Sequence, residues 1–358
     1  MMIYNRIYIV SPVGVETGGP ETLHQMCKVI NENYPNTCYM VYIDKDGNFV
    51  DAPVPKKYEK YNVNHTDKVE DIKENLLITT EIHTFVQTRF QNITKRICWL
   101  SYLFYFNEVY GIKTRLPYSG FLRAVKPLIY LAYFLLKPGH WFAKNKKLKL
   151  KQMKNFLHSY NTIEEKKFLA KHGIDSKNYL CGPISDDYFE NQNVDLSTKE
   201  NIISFNPKKG YSYTKKIIKL FKEKHGDKYQ FVPIENMSNQ EVIDVLKRSK
   251  VYIDFGFFPG HERIPRQAVL LKANIITSTN GSAKYDDILI DSKYKFDTKS
   301  KNLKKIVETM FELAEHHKEH VADYDEYREF TNWQRDNYKN EVLAICDNKP
   351  FEFEAKSK

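Results

Sequence analysis

The chain has 358 residues, 42% of them hydrophobic and 14% aromatic, with a formal net charge of +10 and a pI near 9.0. That composition is globular and long enough for two domains of ordinary size, and its positive balance favours acidic partners such as phosphates, anionic lipid or nucleic acid. The five cysteines, Cys27, Cys38, Cys98, Cys181 and Cys346, are scattered and form no CxxC pair, so neither a disulfide framework nor a zinc site is supported, and a reducing cytosol fits best.

Met1 to Arg6 runs into the first strand without a secretory pattern. Arg6 to Val10 reads as that strand. The loop Ser11 to Thr22 follows, with Gly18 and Gly19 allowing close approach of backbone to a ligand, and Pro20 and Glu21 suited to a first helical turn. It has neither a GxGxxG pattern nor the Lys-Ser/Thr ending of a P-loop, so it reads equally as a structural turn. A helix is expected across Glu21 to Asn33, then strands at Cys38 to Ile43, Leu76 to Thr80 and Lys95 to Leu100.

Asp44-Lys45-Asp46-Gly47 has the spacing of a metal-holding DxD, but at a strand end its Asp and Gly read as turn chemistry. Glu81 and His83 follow the strand Leu76 to Thr80, where a carboxylate or imidazole is placed to take a proton from a hydroxyl or to bind a sugar. Ordinary loop polarity is the competing reading. Trp99, Tyr102, Tyr105 and Phe106 are expected mainly in the core.

Residues 103–155 form an insertion of different character. Pro127 to Leu136 is a purely apolar run of ten residues, short of the roughly 20 that span a bilayer. Six lysines follow between Lys144 and Lys154. Together, 121–154 reads either as a helix lying on an anionic membrane face or as a core helix with a solvated loop.

Phe156 to Tyr160 is a further strand, and Thr162-Ile163-Glu164-Glu165 is a capping box opening a helix to about His172. After Gly182-Pro183 a second series starts. Strands are expected at Ile202 to Phe205, Tyr229 to Ile234, Val251 to Phe255 and Ile275 to Ser278. Helices fall at Tyr213 to His225 and, from the capping box Ser238-Asn239-Gln240-Glu241, to about Ser249. The tail, Asp323 to Ile345, reads as helix. This alternation argues for parallel sheets with crossover helices in two open α/β domains joined near residues 183–200. Such sheets bind ligands at the carboxyl ends of their strands.

Two loops at such ends carry the strongest signal. Gly256 to Gln267 is a Gly/Pro-bent turn feeding a helix, which exposes unpaired N–H groups and the positive end of the helix dipole. Arg263 and Arg266 add forked donors that match phosphate oxygens. Asn206-Pro207-Lys208-Lys209-Gly210 follows the first strand of the second series and brings two more cations toward the same edge. A diphosphate, as carried by a sugar nucleotide, is the ligand these charges suit.

On the segments Gly18 to His24, Asn206 to Gly210 and, above all, Asp254 to Arg266, the chain resembles bacterial glycosyltransferases of the GT-B architecture that act on capsule, lipopolysaccharide or related surface glycans. The resemblance covers most of the chain apart from about 103–155. It implies two Rossmann-like domains facing each other: an acceptor-side domain over 1–185, a nucleotide-sugar domain over 190–322, and a C-terminal helix over 323–358 returning to the first. It also implies a peripheral or free cytoplasmic enzyme that takes a nucleotide-diphosphate sugar as co-substrate, binds no resident cofactor or metal, and has no nucleic-acid partner.

The donor set is then Asn206, Lys208, Lys209, Gly260, His261, Arg263, Arg266 and Gln267. The acceptor-side loop is Gly18, Gly19, Glu21 and Thr22, and the catalytic candidates are His83, Glu81, Arg263 and Lys209. Relatives often carry Glu where this chain has Gln267, whose amide oxygen still accepts a ribose hydrogen bond without the charge. A sugar-nucleotide epimerase of the same fold and a non-catalytic anionic-lipid or nucleic-acid binder are the competing functions.

Overall fold

The computed structural model describes residues 2–106, 132, 135–136 and 147–353. The membrane-facing reading of 121–154 therefore falls largely outside the described residues. The chain divides into two compact units, Met1–Gly182 with Tyr338–Lys358, and Pro183–Asn337.

In the first unit the strands are β1 (Ile7–Pro12), β2 (Cys38–Ile43), β3 (Phe49–Val50), β4 (Asn64–His65), β5 (Leu76–Thr80), β6 (Thr94–Trp99), β7 (Leu157–Tyr160) and β8 (Asn178–Tyr179). They lie in the order β3-β2-β1-β5-β6-β7-β8, with β4 pairing β2. β3 runs antiparallel to β2 and the other pairs are parallel. Strands covered on both faces read as continuous apolar runs, and Ile7 to Val10 fits that rule. Ile7 and Ile9 point to one face, against Leu23, Met26 and Ile30 of the helix Gly18–Asn33, with Tyr338, Val342 and Ile345 in the same cluster. Tyr8 and Val10 point to the other, beside Val41, Ile43, Leu77 and Val86.

In the second unit β9 (Glu200–Phe205), β10 (Gln230–Pro233), β11 (Ser249–Asp254), β12 (Asn274–Ser278) and β13 (Lys295–Phe296) form an all-parallel sheet in the order β10-β9-β11-β12-β13. The crossover helices are Tyr211–His225, Asn239–Arg248 and Arg263–Leu270, and the helix Leu303–Glu315 follows β13. Both capping boxes form as their sequences require: the Thr162 and Ser238 side chains accept from the N–H groups of Glu165 and Glu241, whose carboxylates reach back. Lys199 closes the opposite edge, donating to the carbonyl oxygens of Leu246, Ser249 and Leu271 at 3.1, 2.9 and 2.7 Å. Those carbonyls belong to chain ends that helices leave without partners. The last helix, Asp325–Cys346, has its residues up to Asn337 in the second unit and those from Tyr338 in the first. Among the described residues, no helix is long and apolar enough to cross a membrane.

Candidate functional site

Neighbouring strands β9 and β11 end beside each other, and the loops that follow them are pressed together. Two glycines permit this. Gly210 adopts φ +65°, and a Cβ there would lie 2.3 Å from the Phe255 carbonyl oxygen. A Cβ on Gly256 would lie 2.4 Å from Cβ of Lys209. The loop after β12 supports the glycine turn from behind: Ser278 donates to the Gly256 carbonyl at 2.5 Å and Ser282 to the Gly260 carbonyl at 2.7 Å. The carboxyl edge of this sheet thus presents one continuous backbone surface running into the helix Arg263–Leu270.

At its centre is Asp254, the last residue of β11 and 1% exposed. Its carboxylate accepts from the Gly256 N–H at 2.9 Å, the Asn206 amide at 3.0 Å and the Tyr252 hydroxyl at 3.1 Å. Burial pushes its pKa up to about 6; Lys209 opposes the shift and Glu262 adds to it. Lys209 is ion-paired with Glu262 across the two loops. Glu262 is the N-cap residue of the helix Arg263–Leu270, yet its side chain makes no cap hydrogen bond. Asn206 accepts from the Lys208 N–H at 3.0 Å, and the Lys208 side chain is exposed.

The structure therefore brings Asn206, Lys208, Lys209 and Arg263 to one edge, with Arg263 opening the helix and half-buried. Arg266 has a different place. It is 1% exposed, and its guanidinium donates to the carbonyls of Glu262 and His261, each at 3.2 Å, and to Gln334 at 3.4 Å. It holds the shape of the turn that Gly260 and His261 form. His261 also lies 3.0 Å from the Gln334 amide nitrogen through Nε2. Gln267 is buried in the same helix.

The first unit holds the other candidates. Glu81 is 2% exposed, and its carboxylate accepts from the Leu100 N–H at 3.0 Å. Burial raises its pKa to about 7, against the pull of that backbone bond and of Lys147. Leu100 in turn packs against the start of the first helix, since a Cβ on Gly19 would meet its side chain at 3.4 Å. Half-buried His83 lies 3.5 Å from the Thr80 hydroxyl and is pushed down to about 4 by burial and by Lys147. At neutral pH His83 is uncharged and weakly basic, whereas the Glu81 carboxyl titrates where a general base is most effective.

Gly18 begins the first helix and is exposed, but Glu21 and Thr22 turn inward. Glu21 accepts from the Tyr61 hydroxyl at 2.9 Å and pairs with Lys57 at 3.3 Å; Thr22 donates to the Gly18 carbonyl at 3.1 Å. With a carboxylate in its first turn, this helix start disfavours anions.

Among the described residues, no group of three His, Cys, Asp or Glu side chains is placed to hold a metal ion. Asp44 is occupied as a turn residue, accepting from the N–H groups of Asp46 and Asn48 at 2.9 and 2.7 Å. Asp254 and Glu262 are the site residues the motif reading left without a role. The one available signal was an acid ending an otherwise apolar strand.

No family model and no curated protein matches the sequence. Solved structures do match in fold. A glycosyltransferase from Rickettsia africae superposes with a TM-score of 0.59 at 12% identity, covering 96% of this chain and 98% of that one. Anabaena Alr3699/HepE, solved in complex with UDP-glucose, gives 0.57 at 9% identity over 96% and 99%. The apo lipopolysaccharide outer core galactosyltransferase WaaB gives 0.55 at 9% identity over 95% and 99%. The chain has the fold of GT-B glycosyltransferases, with a parallel α/β sheet in each of its two units.

Proposed function

We propose that this chain is a glycosyltransferase that moves a sugar from a nucleotide-diphosphate donor to a glycan or lipid-linked acceptor in bacterial surface-polysaccharide synthesis. The observation that carries the reading is the clamped pair of loops at the carboxyl ends of β9 and β11, which presents Lys208, Lys209 and the start of the helix Arg263–Leu270 along one edge. The UDP-glucose held by the Anabaena protein makes a uridine donor the first to test.

Breaking the sugar–phosphate bond builds negative charge on the departing diphosphate. Fixed cations and helix N–H groups stabilise that charge more in the transition state than in the ground state. In this reading Lys209, Lys208 and Arg263 touch the diphosphate, and Arg266 fixes the turn that aims the helix N–H groups. Glu81, with its carboxyl raised toward neutrality, is the candidate base for the acceptor hydroxyl, near the helix start at Gly18 and Gly19. The lysines of 144–154 beside the apolar run 127–136 support docking of this enzyme on an anionic membrane face.

The test is turnover of UDP-sugars with and without a glycan acceptor. Transfer or slow donor hydrolysis, lost in the Lys209→Ala/Arg263→Ala double variant, supports the proposal. Unchanged turnover in that variant contradicts it, and conversion of donor to an isomeric sugar nucleotide without acceptor would mark an epimerase instead.

A further inference from the structure

A cation placed for a diphosphate is already engaged by an acid of the same site. Lys209 is paired with Glu262, and Asp254 lies directly behind them with three hydrogen bonds of its own. One lysine thus stands among two carboxylates, an arrangement that repels a dianion while both acids are ionised. Apart from that pair, the Glu262 side chain makes no cap hydrogen bond to the helix it precedes.

We propose that Glu262 is a resident substitute for the donor's phosphate, displaced from Lys209 when a nucleotide sugar binds, and that Asp254 takes up a proton in the same step. This rests on the donor reading above and adds to it a proton-linked exchange of one anion for another. The titratable groups bearing on Asp254 are Lys209 from the loop after β9, Glu262 from the turn before the helix, and Tyr252 from its own strand. Asn206 and the Gly256 N–H hold the ionised form. The raised carboxyl of Asp254 means that an added negative charge beside it draws in a proton near neutral pH, by ordinary linkage. Tyr252, whose hydroxyl is pushed well up by burial and by Asp254, stays protonated and keeps donating.

UDP-glucose is the suitable probe, because its diphosphate is a diester whose two charges do not titrate in this range. Calorimetric titration at pH 6.5 in two buffers of unlike ionisation enthalpy should show net proton uptake, and binding should tighten between pH 7.5 and pH 5.5. Glu262→Gln should bind about three- to tenfold tighter at pH 7.5, the scale of one partly exposed ion pair. The gain should be smaller in a Lys209→Ala background, since the two residues then no longer compete and only the repulsion by the acid is relieved. Asp254→Asn should abolish the uptake. Weaker or unchanged binding in Glu262→Gln, or no proton uptake by the parent protein, overturns the inference while leaving the donor reading in place. If none of UDP-, GDP- or ADP-glucose binds the parent protein, the donor reading falls and this inference falls with it.

Discussion

Gly210 and the carbonyl oxygen of Phe255 are in such close approach that a Cβ on the glycine would stand 2.3 Å from that oxygen. The contact joins the loop after β9 to the end of β11, and it places Lys209 beside Asp254 and Glu262. Gly210→Ala adds the strain of a positive φ to this clash. It should cost about 2–4 kcal/mol of stability, read as a lower urea midpoint. Nucleotide affinity should fall with it, because the two loops must separate.

Lys209→Ala has the opposite signature. Its ion pair with Glu262 is partly exposed, with side-chain exposures of 31% and 19%, so stability should change by less than about 1 kcal/mol. Glycosyl transfer should drop by about 10²- to 10³-fold, the usual cost of removing one donor to a developing anion. Lys208→Ala, at an exposed side chain, should cost less in the same assay.

Arg266 is tied into the turn before the helix through the carbonyls of Glu262 and His261 and through Gln334. Arg266→Met keeps the length of the side chain but removes the guanidinium donors to the carbonyls of His261 and Glu262. A loss of about 2–4 kcal/mol is expected, measured by chemical denaturation. If stability were unchanged while UDP-glucose affinity fell more than tenfold, Arg266 would be a ligand contact instead.

Glu81 makes a prediction about pH. Burial raises its folded pKa to about 7, from the ordinary 4.5 of a free glutamate side chain. Between those values the folded state holds a proton that the unfolded state has released, so stability falls as pH rises through the window and levels off above it. Glu81→Gln, which can still accept from the Leu100 N–H, should be more stable than the parent at pH 8. The gain should reach about 3 kcal/mol and disappear toward pH 4.5. Comparing the two proteins across pH isolates this group from His83 and His158. Both histidines are pushed down to about 4 by burial, so their contributions are lost as pH falls.

Much of the fold was legible because local patterns and tertiary structure agree. The apolar runs Cys38 to Ile43 and Leu76 to Thr80 became strands over those residues, and the capping boxes at Thr162 and Ser238 opened their helices. Strand ends elsewhere differ by a residue or two, as at β1, expected at Arg6 to Val10 and found at Ile7–Pro12. The site was legible in its backbone and less so in its side chains. Arg263 and Arg266 look alike in sequence as forked cations. What separates them is Gln334, 68 residues beyond Arg266, together with the burial of most of the helix around it. The pairing of Lys209 with Glu262 likewise joins residues 53 apart, and no periodicity announces it.

The central claim is that Lys209 and the loops it bridges grip a nucleoside diphosphate, and thermal unfolding of the parent protein and Lys209→Ala with a panel of nucleoside diphosphates tests it most directly. The account predicts that one diphosphate raises the parent Tm by about 3 °C or more at saturation, and that the same ligand has almost no effect on Lys209→Ala. Equal stabilisation of both proteins, or none by any member of the panel, would contradict it.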